Sequence, residues 1–300
     1  MRIKFRETTL NKKSLARLLQ INTIIEEYQE QGYVLTLRQL YYQLVSRDII
    51  PNKASEYGKL STVLKEGRMA GLVDWNAIED RLRKPSRPAA FDNPKDGMKA
   101  LIDQYEIPRM EGQPVYLEVW VEKDALSGVL KRITRKYHIN IMVNRGYSST
   151  SAMYDAFMRF VSNGYKLGRP IKLLYLGDFD PSGLDMIHDI KQRISEFNRS
   201  GYLVDGELIF DIEAIALTKA QIDKYNPPPN PAKITDPRAK EFIKNHGNTS
   251  WEVDALTPSV LNNLLESSIL AHINLERYEE RLKQEWTDKK RLTELKRSLI

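Results

Sequence analysis

Between residues 114 and 197 the apolar pattern switches repeatedly between a period of two and a period near 3.6, and this restricts the possible folds more than any other feature of the chain. Strand-like runs PVYLEVWVE, INIMVN and IKLLYLGD alternate with helix-like runs ALSGVLKRITRKY, SSTSAMYDAFMRFVSNG and GLDMIHDIKQRISEF. Parallel neighbours are reached only by long crossovers, so the alternation predicts βαβ units and a mostly parallel sheet with helices on both faces. ELIFDIEAIAL extends the pattern, YNPPPNPAK reads as rigid and extended, and YEERLKQEWTDKKRLTELKRSLI reads as a charged C-terminal helix.

The first third follows another rule. Residues 8–31 carry Leu15, Leu18, Leu19, Ile21, Ile24 and Ile25 near helical spacing, and Gly32 ends the run. TLRQLYYQLVSRD and ASEYGKLSTVLKEGRMAG predict two further helices, and GLVDW predicts a wing strand, which together outline a winged-helix-like module. Residues 1–87 hold sixteen Lys/Arg against ten Asp/Glu, so 16 − 10 = +6, the formal excess of the entire chain. A basic module beside a neutral remainder is the footprint of a phosphate-backbone binder, with Lys59, Lys65 and Arg68 as candidate contacts, although a solvated face of mixed charge has the same composition.

The proline-rich stretch RKPSRPAAFDNP marks a boundary, giving residues 1–84 as the helical module, 85–112 as linker, 113–275 as the α/β domain and 276–300 as the terminal helix. With no cysteine, thiolate metal sites and cysteine nucleophiles are excluded. The chain carries no apolar stretch of membrane-spanning length and no secretory signal pattern, so a cytoplasmic protein is expected.

Ligands of open parallel sheets bind beyond the carboxyl ends of the strands. Three acids fall there: Glu122 closes the first strand, while Asp178 and Asp180 close LLYLGDFD. Residues two apart in extended chain share a side, so both aspartates face one crevice and Phe179 turns into packing. Converging carboxylates repel unless a cation neutralises them, and hard oxygen donors suit Mg²⁺ or Mn²⁺. The competing account makes Asp180 the cap of the helix that Pro181 begins. Asp124 reads as another cap, Glu118 as a buried partner for a basic group, and Glu252 and Asp254 in SWEVDAL as an acidic spot at a sheet edge or dimer contact, with accessory metal binding as a further alternative. His138, His188, His246 and His272 show no ligand spacing.

VEKDAL (121–126), NRGYSS (144–149) and GDFDPSG (177–183) resemble the glutamate motif, middle glycine and DxD motif of a Toprim domain, most closely the form found in the topoisomerase VI A subunit and its relative, the meiotic double-strand-break protein. The resemblance covers roughly residues 30–270. It implies a winged helix followed by a Rossmann-like Toprim domain, with Glu122, Asp178 and Asp180 as metal ligands. It also implies double-stranded DNA as substrate, with Arg145 as a further DNA contact, and a nucleoid-associated homodimer in which the tyrosine of one protomer meets the metal of the other. The expected break is double-stranded with 5′-phosphotyrosyl ends.

Such families carry an arginine and a nucleophilic tyrosine before the Toprim domain, and LRQLYYQL supplies Arg38, Tyr41 and Tyr42, with Gln39 in place of the usual acid. Leu37, Leu40, Tyr41, Leu44 and Val45 form a buried helical stripe, which leaves Tyr42 off it and one turn from Arg38. Tyrosine transesterification by Tyr42 with Arg38 is therefore the expected chemistry. A Toprim nuclease using metal-activated water and a non-enzymatic DNA-binding or assembly protein remain open alternatives. No Walker A motif is present, so an ATP-driven gate would come from a separate ATPase partner.

Overall fold

The computed structural model describes residues 1–79, 88–144, 146–204, 206–231 and 239–299. Its first three helices, α1 (Lys12–Glu30), α2 (Leu37–Ser46) and α3 (Ala54–Met69), share one apolar cluster. Asn11 accepts the Ser14 N–H at 2.8 Å, which starts α1 four residues later than the periodicity suggests. The buried stripe of α1 is Leu18, Ile21, Ile24, Ile25 and Tyr28; Leu19, expected within it, is 70% exposed, and Leu15 is also exposed. Residues 71–75 form a turn rather than the expected wing strand, and the described part of this module pairs only through the isolated bridges Lys4–Ala70 and Leu35–Ile78.

The stretch expected as linker holds a helix, α4 (Pro94–Gln104), with Asn93 capping it and Pro94 at its first position. Residues 80–87, and with them the expected boundary at 84/85, lie outside the described residues.

The expected sheet is present. Strands β1 (Tyr116–Val121), β2 (Asn140–Val143), β3 (Ile171–Leu176) and β4 (Phe210–Ala216) are all parallel in the order β2-β1-β3-β4. They are joined by α5 (Asp124–Tyr137), α6 (Thr150–Asn163) and α7 (Pro181–Asn198). Alternation along β1 sends Leu117, Val119 and Val121 into the cluster on the α5 face, while Trp120 enters the cluster of Phe157 and Phe160 on the opposite face. Glu118 points the same way as Trp120 and is the buried partner expected of it: its carboxylate takes Arg159 Nε at 2.8 Å and the Trp120 indole at 3.0 Å.

The chain then adds α8 (Lys219–Tyr225), the two-residue strand β5 (Asn230–Pro231), α9 (Ala239–His246) and β6 (Thr249–Ser250), which pairs antiparallel with β5. The last two helices are α10 (Pro258–His272), which covers the α5 face, and α11 (Leu275–Leu299). Glu285 of α11 is buried against the Ile107 N–H at 3.2 Å and Arg109 Nη2 at 2.7 Å, which ties the charged C-terminal helix to the segment ahead of β1. Among the described residues no helix is long and apolar enough to cross a membrane.

Strand order reverses between β1 and β3, because β2 lies on one side of β1 and β3 on the other. This switch point opens a crevice at the carboxyl ends of those two strands. Helix α2 closes over its rim by packing on the turn Val253–Ala255, and Ala255 joins the core of the helical module.

Candidate active site

At the end of β1 the Glu122 N–H bonds the Leu176 carbonyl at 2.9 Å, and Glu122 Oε2 accepts the Asp178 N–H at 2.9 Å. The glycine between β3 and Asp178 is required by this closeness, since a Cβ at Gly177 would lie 3.0 Å from Glu122 Oε2 and closer still to the Tyr175 ring. Phe179 turns inward as expected, exchanges two backbone hydrogen bonds with Trp251 at 2.8 and 3.0 Å, and packs on Phe242 and His246. Asp180 Oδ1 accepts the Gly183 N–H at 2.6 Å, so this residue caps α7 while lining the crevice. A Cβ at Gly183 would overlap the Asp178 carbonyl.

Lys123, one residue beyond Glu122, supplies the charge at the centre. Its Nζ lies 2.8 Å from Asp178 Oδ2, 2.7 Å from Glu252 Oε2 and 3.0 Å from Asp254 Oδ1. Asp178 Oδ1 takes the Val253 N–H at 2.8 Å, so both of its oxygens are engaged. Burial, reinforced by Glu122 and Asp254 and opposed by Lys123, pushes the Asp178 carboxyl up to about 7. Glu122 moves upward for the same first reason, burial, with Asp180 and Asp254 adding to it against the Asp178 N–H and Lys123. Glu252 goes the other way: burial works against its charge, but Lys123 and Arg38 hold it down at about 2. Burial also disfavours the Lys123 ammonium, yet Asp254, Asp178 and Glu252 outweigh it and raise its pKa.

From the helical module Arg38 reaches the same acids, with Nε 3.0 Å from Asp254 Oδ2 and Nη2 on Glu252. Tyr42 lies beside Glu252 and Asp254, whose charges act on its phenol together with that of Arg38, so it shares a face with Arg38 as its spacing predicts. Its predicted exposure is not observed: Tyr42 is 4% exposed and belongs to the helical module's own apolar cluster, its ring edge-on to Tyr41 with centroids 5.3 Å apart, on a helix that also packs on the 253–255 turn. Burial, then the charges of Glu252 and Asp254, raise the phenol's pKa against the pull of Arg38. Tyr41 is buried as expected and bonds Asn52 Oδ1 at 2.9 Å. Gln39 explains its own departure from the motif, since its Oε1 accepts the Thr36 N–H at 2.9 Å in a capping box where Glu and Gln both serve.

Of the candidate phosphate contacts, Lys59 and Lys65 stay on the solvent side of α3, Lys59 beside Glu56 at 2.6 Å. Arg68 differs: its guanidinium stacks on Trp75 at 4.9 Å and bonds the carbonyls of Trp75 and Ile78, and burial lowers its pKa. Arg145 lies outside the described residues. Asp124 is the first residue of α5 rather than its cap. His138 and His272 each pair with a glutamate at 2.7 Å, and His246 packs on Phe179.

Glu122, Asp178 and Asp180 line one cavity of about 610 Å³ together with Lys123, Arg38 and Glu252. As placed, no three Asp, Glu or His side chains among the described residues are grouped to hold an ion. The donor set nevertheless suits a hard divalent cation. Among the described residues five carboxylates, Glu122, Asp178, Asp180, Glu252 and Asp254, face two cations, Lys123 and Arg38, so 2 − 5 leaves a formal −3. Sequence patterns assign Lys123 no role and leave Glu252 and Asp254 between a sheet edge, a dimer contact and accessory metal binding, whereas all three meet in the cleft; the adjacency of Lys123 to Glu122 at a strand end was the available signal. A scan against protein-family models and a search of curated proteins both return no match for this chain.

Proposed function

We propose that the chain cleaves double-stranded DNA by tyrosine transesterification supported by Mg²⁺ or Mn²⁺, as a small relative of the topoisomerase VI A subunit. One observation carries this reading: Tyr42 and Arg38, on a single helix of the basic module, sit on Glu252 and Asp254, and these share Lys123 with Asp178 at the sheet's switch point. In this reading the helical module acts as a winged helix and offers Lys59 and Lys65 to the backbone. Tyr42 moves away from Glu252 and passes its proton to water, its oxygen bonds phosphorus as the bond to the departing sugar oxygen breaks, and that oxygen takes up a proton from water, so no net proton is gained or lost. Arg38 faces the phosphate from the same helix face. A divalent cation held by Glu122, Asp178 and Asp180 would supply charge stabilisation at the scissile phosphate. Two copies would cut both strands, and strand passage would call on a separate ATPase partner.

A nuclease using water is the second reading, favoured by the burial and raised pKa of Tyr42. Supercoiled plasmid incubated with Mn²⁺ and stopped with detergent separates the two. Linear DNA released only after protease, and absent with Tyr42→Phe, is the expected result; undiminished cutting by Tyr42→Phe assigns the attack to water.

A further inference from the structure

Three carboxylates converge on one ammonium at the switch point. Lys123 Nζ lies 2.8 Å from Asp178 Oδ2, 2.7 Å from Glu252 Oε2 and 3.0 Å from Asp254 Oδ1, so its three N–H donors face three different side chains. Two of those partners, Glu252 and Asp254, belong to the 252–255 turn, and the third is an expected cation ligand. The lysine cannot move far from them: it is the N-cap residue of α5, set by the end of β1, and its side chain is 16% exposed.

We propose that Lys123 is the cleft's built-in counter-ion, occupying the place at Asp178 that a divalent cation takes, so that the cation and the Lys123–Asp178 ion pair exclude one another. The inference rests on the reading that Glu122, Asp178 and Asp180 hold such a cation. Asp178 Oδ1 is engaged by the Val253 N–H at 2.8 Å, which leaves Oδ2 as the oxygen that a cation and Lys123 both need. A doubly charged ion bound there stands within a few ångströms of the ammonium and repels it. Lys123 gives up one of three contacts when it yields, because Glu252 and Asp254 keep the other two. The exchange therefore needs no rearrangement of the fold. It also makes Lys123 a positioning residue, since the same ammonium holds the acids that face Arg38 and Tyr42.

An ammonium that only supports the fold and one that competes with a cation differ in sign. Without the lysine, a supporting role predicts weaker cation binding and a competing role predicts tighter binding. Calorimetric titration of the DNA-free protein with MnCl₂ at fixed ionic strength reads this directly. Lys123→Met is expected to lower the Kd for Mn²⁺ by about tenfold or more and to enlarge the Mn²⁺-induced rise in melting temperature. Lys123→Arg, which keeps the charge, is expected to bind no more tightly than the native chain. Lys123→Gln keeps a hydrogen-bond donor and serves where Lys123→Met does not fold. Equal or weaker Mn²⁺ binding by the folded neutral variants, with native binding that is lost in Asp178→Asn, overturns the counter-ion role alone. Absence of Mn²⁺ binding in the native chain, or binding unchanged in Asp178→Asn, overturns the cation cleft and the counter-ion role together.

Discussion

Single residues at the end of β3 carry opposing demands. Asp178 holds the Val253 N–H and Lys123, yet it is only 9% exposed and its carboxyl is pushed up to about 7 from 3.8, first by burial. A carboxyl raised by folding costs stability as it ionises: the penalty is absent below the unfolded value, grows as pH rises between the two values, and is complete above the folded one. Asp178→Asn removes that penalty. Its stability relative to the native chain is therefore expected to improve from about pH 4 to about pH 7 in cation-free buffer, by at most about 1.4 kcal/mol per pH step of one, and to level off above. Denaturant melts of both proteins across this range check it; a difference independent of pH contradicts it. Gly183 sets a steric condition beside it. Gly183→Ala drives a methyl into the Asp178 carbonyl, so a loss of about 1–3 kcal/mol in thermal or denaturant melts is expected, together with weakened Mn²⁺ binding.

Elements were legible where one partner decides their pattern. The βαβ alternation emerged because strands buried on both faces and helices buried on one have different periods, and Glu122, Asp178 and Asp180 could be placed because strand ends meet at a switch point. Helix α2 resisted the same treatment. Its stripe identified Tyr41 as core, but the helix is buried from Gln39 to Val45, with Tyr42 inside the module's apolar cluster and the 253–255 turn packed on the same helix, and no local pattern announces burial on more than one face. Glu252 and Asp254 reach Lys123 from 129 and 131 residues away, a distance at which a single sequence offers no periodicity to read. The same helix gives a clean test of its local chemistry. Thr36→Ala removes half of the capping box and is expected to cost about 1 kcal/mol, whereas Gln39→Glu keeps the reciprocal acceptor but buries a carboxylate at a position 2% exposed and is expected to cost more, about 1–3 kcal/mol at neutral pH. Chemical denaturation of the two variants beside the native chain measures both.

Across the whole molecule, the basic helical module and the parallel-sheet domain are joined by neutral hydrogen bonds as well as by charge. Asn52 bonds the Pro229 carbonyl at 3.0 Å, Asn262 bonds the Tyr33 hydroxyl at 3.0 Å, and Arg38 enters the acidic cluster, so the module bearing the candidate nucleophile is fastened to the strand ends bearing the candidate cation ligands. That fastening conceals the candidate nucleophile, and in the proposed reaction DNA phosphate would compete with Glu252 and Asp254 for Arg38 and Lys123 and loosen it. The central claim is that Tyr42 forms a covalent bond to DNA, and peptide mass spectrometry measures it directly. Plasmid is cut with Mn²⁺, the bound DNA is trimmed with nuclease, and the peptide spanning residues 38–47 is fragmented. A phosphonucleotide on Tyr42, absent from Tyr41, is the predicted result. Cut plasmid with an unmodified Tyr42 would contradict the account and leave water as the nucleophile.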